Sequence, residues 1–140
     1  MNKNEGQVYF AFDGKDFNPH EITNFLGIQP TKIRLKGELP SGKLPKYSSW
    51  ILSTENIIDE YIDIFDMATA LVKILKPKIN MINDVRKKFN VTTRLEVVLS
   101  FSIDEGTSTP AIGFESETID FLGKVGANID IDTYIQPYSE

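Results

Sequence analysis

Thr93-Arg94-Leu95-Glu96-Val97-Val98-Leu99-Ser100-Phe101-Ser102-Ile103 decides how this 140-residue chain folds. Side chains alternate along an extended backbone, so Thr93, Leu95, Val97, Leu99, Phe101 and Ile103 point one way while Arg94, Glu96, Val98, Ser100 and Ser102 point the other. One apolar and one polar face describe a half-buried strand of an antiparallel sheet, which needs a layer of helices on its apolar side.

The flanking sequence supplies that layer. Ile79, Ile82, Val85 and Phe89 share one face of a helix predicted over about 78–89, and Arg86, Lys87 and Lys88 sit in its last turn, where cations favour the helix dipole. Before it, Ile58, Tyr61, Ile62, Phe65, Ala68, Val72 and Leu75 recur at three- and four-residue spacing. They predict the longest helix of the chain, capped by Thr54 or Asn56 and ended or kinked at Pro77. Residues 47–53 read as a strand with Trp50 and Leu52 inward, and residues 8–12 as another with Val8, Phe10 and Phe12 on one face. Between these two, Asn18 caps, Pro19 opens and Gly27 stops a short helix carrying Ile22, Phe25 and Leu26. Downstream, residues 104–108 turn the chain into residues 110–114, the expected hairpin partner. Ser116 then caps a helix bearing Ile119, Leu122 and Val125, Gly126 closes it, and residues 127–135 make the last strand with Ile129, Ile131 and Ile135 inward.

The order β-α-β-α-α-β-β-α-β predicts an α+β fold, a single domain over 1–140 with a mainly antiparallel sheet of about five strands and helices packed on it. Residues 17–27 and 114–123 both run from a strand into a capped helix with Phe-Leu-Gly near its end. Two related β-α-β halves, a ferredoxin-like variant, would explain that echo. Residues 1–6 are expected to form a flexible N-terminus and residues 28–46 an exposed basic loop. Pro30, Gly37, Pro40, Gly42 and Pro45 prevent a long regular element in that loop, although residues 31–36 alternate enough for a short edge strand. Within it Lys32, Arg34, Lys36, Lys43 and Lys46 face the single acid Glu38.

Composition excludes several roles. With 41% hydrophobic and 25% charged residues the chain is of the folding kind, not the disordered kind. It has no cysteine, so disulfides and thiolate chemistry are impossible, and the expected compartment is the cytoplasm. No apolar run suits a signal sequence or a membrane span, and a net charge of -5 works against nucleic acid as a partner. No cofactor is expected.

Catalytic motifs fail on context. Gly37-Glu38-Leu39-Pro40-Ser41-Gly42-Lys43-Leu44 has the Gly and Lys spacing of a phosphate-binding P-loop, but Leu44 stands where a magnesium-binding Ser or Thr belongs, and a strand follows instead of a helix. His20 is the sole histidine and occupies the first turn of a helix, where the dipole disfavours its charged form. Asp59, Glu60, Asp63 and Asp66 are assigned to the outer side of the long helix. Asp130 and Asp132 invite a metal or nucleophile reading, yet alternation places them with Asn128 and Tyr134 on the polar face of a terminal strand, where a solvated face is the simpler account. Trp50 could be a stacking anchor or a core residue, and its alternation with Leu52 favours the core.

The segments Phe17-x-Pro19-x-Glu21-Ile22-x-x-x-Leu26-Gly27-Ile28-x-Pro30-Thr31, Lys36-Gly37-Glu38, Ser49-Trp50-Ile51-Leu52 and Leu122-x-x-x-Gly126-Ala127-x-Ile129-Asp130-Ile131-Asp132-x-Tyr134 together resemble the bacterial domain-of-unknown-function 4279 family. The resemblance runs along nearly the whole chain and implies a small bacterial cytoplasmic protein with no assigned activity.

The leading expectation is therefore a non-catalytic protein-binding module, with an immunity-type inhibitor of a toxin as the specific form. The alternative is a small-molecule or anion-binding domain in which Lys32, Arg34 and Lys36 gather around Thr31 and Gly37. Either way, the candidate ligand or partner surface is Thr31, Lys32, Arg34, Lys36, Gly37, Lys43, Lys46, Trp50, Asp130 and Asp132. An enzyme built on Asp130, Asp132 and Tyr134 is the third option, and no catalytic, cofactor or metal residue is assigned.

Overall fold

The computed structural model describes residues 3–37 and 46–136. In chain order the elements are β1 (Asn4–Gly14), α1 (Pro19–Leu26), β2 (Lys32–Arg34), β3 (Ser48–Ser53), β4 (Ile57–Asp59), α2 (Ile64–Leu75), a 3-10 turn (Lys76–Lys78), α3 (Ile79–Phe89), β5 (Thr92–Phe101), α4 (Ser116–Lys124) and β6 (Asn128–Ile135). They build one α+β domain around a mixed sheet with the order β2-β3-β1-β5-β6, and β4 also pairs with β1. Every pairing is antiparallel except β5 with β6, which a crossover through α4 makes parallel.

Register decides which residues share a face. Phe12 stands opposite Trp50 and Thr93, Phe10 opposite Leu52 and Leu95, and Val8 opposite Val97, so the apolar residues of three strands line up on one side. On that side they join Ile22 and Leu26 of α1, Leu71, Val72 and Leu75 of α2, Ile82 and Val85 of α3, and Phe121 and Leu122 of α4 in one core. Phe12 packs edge-on against Phe10 at 5.4 Å and Trp50 at 5.6 Å between ring centroids, and Phe121 reaches Phe10 from α4 at 6.0 Å. All four rings are essentially fully buried, and each contributes about 1.5–3 kcal/mol relative to an exposed ring. The indole N–H of Trp50 donates to Thr23 Oγ1 at 3.0 Å, which removes the cost of burying it.

The helix ends follow their local chemistry. Asn18 accepts from the His20 amide at 3.0 Å and Pro19 opens α1, while Gly27 takes the left-handed conformation at φ 70° that stops it. Pro77 falls in the 3-10 turn between α2 and α3, so it interrupts the pair instead of standing inside a helix.

Several expectations need correction. The sheet begins at Asn4, so residues 4–6 of the supposed flexible N-terminus are strand, while residues 1 and 2 lie outside the described residues. The long helix starts at Ile64, capped by Asp63, whose Oδ1 accepts from the Asp66 amide at 3.3 Å. Thr54 and Asn56 cap nothing because the chain there stays in the sheet: the Thr54 amide donates to Val8 O, and Ile57–Asp59 pair with β1. Residues 110–114 form no hairpin with β5 and contribute only an isolated parallel bridge from Ala111 to Asp63. In α4 the first helical residue is Ser116, with Glu115 as the cap, and Phe121 rather than Ile119 faces the core; Ile119 is exposed. Of the two expected β-α-β halves, the first pairs β1 with β3 antiparallel, and the second lacks its opening strand at 110–114, so β6 pairs in parallel with β5 instead. Ile129, Ile131 and Ile135 are exposed because β6 is an outer strand that the helices do not reach across to cover.

Asn4 shows how the entry to the sheet is secured. Its buried amide donates to Glu60 O at 3.0 Å and Ser108 O at 2.7 Å, and its Oδ1 accepts from the Ser102 amide at 2.9 Å, joining three otherwise separate segments. Asn4→Ala removes all three bonds of a buried side chain, so urea denaturation should show a loss of about 2–4 kcal/mol. A loss within about 0.5 kcal/mol, the usual range for a surface change, would refute this role.

Candidate functional site

The second face of the sheet carries Tyr9, Ala11 and Asp13 of β1, Ser49 and Ile51 of β3, Arg94, Glu96 and Val98 of β5, and Asp130 and Asp132 of β6. Among the described residues none of these belongs to the apolar core. Ala11 stands opposite Arg94 in the register, and a methyl group there leaves the guanidinium room to reach its neighbours along β1.

Arg94 organises this face. Its Nε donates to Asp13 Oδ2 at 3.0 Å and its Nη2 to Asp13 Oδ1 at 3.1 Å, a two-point fork. Its Nη1 donates to Tyr9 Oη at 3.2 Å and to Glu96 Oε1, and the guanidinium lies 5.4 Å from the Tyr9 ring centroid. Ser49 fixes the far side by donating to Asp13 Oδ1 at 2.6 Å. Burial works against the Arg94 charge, but the bonds to Asp13 and Tyr9 and the Asp13 charge outweigh it, so its pKa is raised above the usual arginine value.

Glu96 is the unusual member. Its side chain is 2% exposed although it lies on the helix-free face, and its Oε2 is buried without a hydrogen-bond partner. The parallel register sets Glu96 beside Asp130 and Val98 beside Asp132, and the carboxylate oxygens that Glu96, Asp130 and Asp132 offer lie within 4.8 Å of one another. Burial pushes the Glu96 carboxyl up to about 7, the Asp132 carboxyl adds to the rise, and Arg94 opposes it.

At the Asp13 end the face opens into a cleft of about 680 Å³. Four cations line it, Lys15, Arg34, Lys46 and Arg94, against the two carboxylates Asp13 and Asp16. Tyr47 and Phe89 give it an aromatic wall, and Thr92 and Asn90 add polar groups. Arg94 is engaged by Asp13 and Glu96, whereas Lys15, Arg34 and Lys46 make no ion pair among the described residues.

The structure divides the residues expected from sequence. Arg34 and Lys46 meet at the cleft, and Arg34 gets there because Lys32–Arg34 form the expected edge strand on β3. Thr31 is tied down, its amide donating to Ile51 O and its Oγ1 accepting from the Ser53 amide. Lys32 is on the outer strand and exposed, and Lys36 donates its amide to Ser48 Oγ at 3.0 Å and sits 3.9 Å from Asp16. Gly37 takes φ 87° in the turn that follows β2. Lys43 and most of the P-loop-like stretch lie outside the described residues. Trp50 is wholly in the core and so leaves the partner surface. Asp130 and Asp132 adjoin a buried carboxyl instead of standing alone on a wet strand. Tyr9, Asp13, Arg94 and Glu96 were not singled out. The i, i+2 spacing of Arg94 and Glu96 was visible, but their partners depend on register.

A family model described as Domain of unknown function (DUF4279) matches residues 4–136. No curated protein and no solved structure matches the chain. Among the described residues no helix is long and apolar enough to cross a membrane.

The raised Glu96 pKa has a defined sign. An unfolded Glu titrates near its model value of 4.5, so between there and about 7 the folded chain holds a proton that the unfolded chain has lost. The stability this contributes is complete below 4.5 and is lost as pH rises to about 7. In chelator-treated buffer, melting temperature should fall across that window, and Glu96→Gln should flatten the fall. An identical slope in both proteins would contradict the assignment.

Proposed function

We propose that this chain, which belongs to the DUF4279 family, is a non-catalytic binding module whose cleft takes a small organic anion. The observation that supports this is a surplus of cations, unpaired among the described residues, in a concave site of a net acidic protein. Lys15, Arg34 and Lys46 line a cleft of about 680 Å³, within the usual size of small-molecule sites, on a chain of net charge -5. Unpaired cations gathered in a cleft make a carboxylate or phosphate the matching ligand, and Arg34 suits two-point recognition of either. Tyr47 and Phe89 provide a flat apolar surface for the rest of the molecule. Asp13 does not compete for the ligand's counter-charge, because Arg94 and Ser49 already hold both its oxygens.

A protein partner, including the immunity-type role, is the second reading, and the outer strand favours it. Among the described residues nothing pairs with the outer edge of β6, and Ile129, Ile131 and Ile135 are exposed on one face while Asp130 and Asp132 lie on the other. Two copies of β6 would bring like charges together, so a complementary partner is an extended segment with basic residues on one side and apolar residues on the other.

Thermal-shift screening of sugar phosphates, nucleotides and aromatic and aliphatic organic acids tests the first reading. A ligand of this class at ten times its dissociation constant should raise the melting temperature by about 4 °C. Arg34→Ala and Lys46→Ala should each remove most of that shift while leaving the ligand-free melting temperature unchanged. Lys87→Ala, in a smaller hollow lined by Asn83, Arg86 and Lys124, should retain it. No response across the whole screen, or equal loss in the Lys87 variant, would defeat the proposal.

A further inference from the structure

We propose that Glu96, Asp130 and Asp132 form a binding site for one divalent cation of calcium-like size on the open face of the sheet. Strand register makes the site: β5 and β6 run parallel, Glu96 lies beside Asp130, and Asp132 follows two residues on, so three carboxylates project from the same face of neighbouring strands. The oxygens they offer lie within 4.8 Å of one another. Ligands of a single calcium ion bond at about 2.3–2.6 Å, so two of them on opposite sides are at most about 4.6–5.2 Å apart. A separation of 4.8 Å or less is compatible with that limit. Magnesium sheds its waters reluctantly and demands near-ideal octahedral geometry, so it suits a site of three carboxylates less well.

A second observation separates this cluster from an ordinary acidic surface. Glu96 is 2% exposed, and its Oε2 is buried with no hydrogen-bond donor. A buried carboxylate oxygen without a donor, on a residue grouped with two further carboxylates, is costly unless a proton or a cation supplies positive charge. Arg94 meets Glu96 through Oε1, and its other hydrogen bonds go to Asp13 and Tyr9, so none of them reaches Oε2. The Arg94 bond instead holds the Glu96 carboxylate in place, as groups behind a metal ligand commonly do. Asp130 is exposed on the outer strand, which leaves the approach open and room for waters to complete the six to eight oxygens of a calcium shell. None of the three carboxylates lines the cation-lined cleft, which the site touches only through Arg94.

Calorimetric titration of calcium, manganese and magnesium into the full, chelator-treated protein tests it, with melting temperature as a second readout. One saturable event per chain is expected for calcium or manganese, weaker for magnesium, with a rise of about 4 °C at ten times the dissociation constant. Asp132→Asn should weaken binding at least tenfold, and Asp130→Asn likewise. Both lie on an outer strand where neither change threatens folding, so the test stands even if Glu96→Gln proves unstable. Arg34→Ala should leave cation binding unchanged, which keeps this outcome separate from that of the cleft. No heat and no thermal shift with millimolar calcium or manganese would overturn the proposal, as would a shift that Asp132→Asn retains.

Discussion

Arg94 spans the face of the sheet that no helix covers. Its fork to Asp13 and its third nitrogen on Tyr9 and Glu96 tie β1 and β5 together, and Ser49 extends the chain of bonds to β3. On the opposite face the same three strands are held by Phe10, Phe12, Trp50 and Leu95 in a dry core. One sheet is thus fastened twice, by burial on one side and by a charge network on the other. The network is partly buried, so its members cannot be removed singly without leaving an uncompensated group.

That arrangement makes the open face a polar surface of fixed geometry. Toward β2 and β3 the charges are positive and surround a cleft; toward β6 they are negative and surround a buried carboxyl. Arg94 sits between the two regions, and its engagement with Asp13 leaves Lys15, Arg34 and Lys46 as the cleft's cations without an ion pair among the described residues. Two regions of opposite charge on one face follow from a single arginine and the strand order.

Much of this was legible in the sequence, and the limits are instructive. The alternation in residues 93–101, the Asn18-Pro19-Gly27 punctuation and the apolar spacing of α2 and α3 each depend on neighbours in sequence, and the α+β fold with helices on one side follows from them. The start of α2 was misplaced because Ile58, Tyr61 and Ile62 extend a helical spacing that the chain does not use; pairing of Ile57–Asp59 with β1 overrides it. Ile129, Ile131 and Ile135 matched an inward face, but alternation cannot say whether a strand is central or outermost. For the site, Arg34 and Lys46 were found by charge alone, whereas Asp13, Arg94 and Glu96 join Asp130 and Asp132 only through a pairing between strands far apart in sequence. Nothing local encodes that β6 lies parallel to β5, since it depends on the crossover through α4.

The most direct test is a double-mutant cycle between Arg94→Met and Asp13→Asn, read as unfolding free energy in urea at pH 8. A coupling above about 1.5 kcal/mol, with each single variant markedly destabilised, is the result expected if the charged fork fastens the open face. A coupling near zero, with the two losses simply adding, would mean that the core alone holds the sheet and that the fork is incidental.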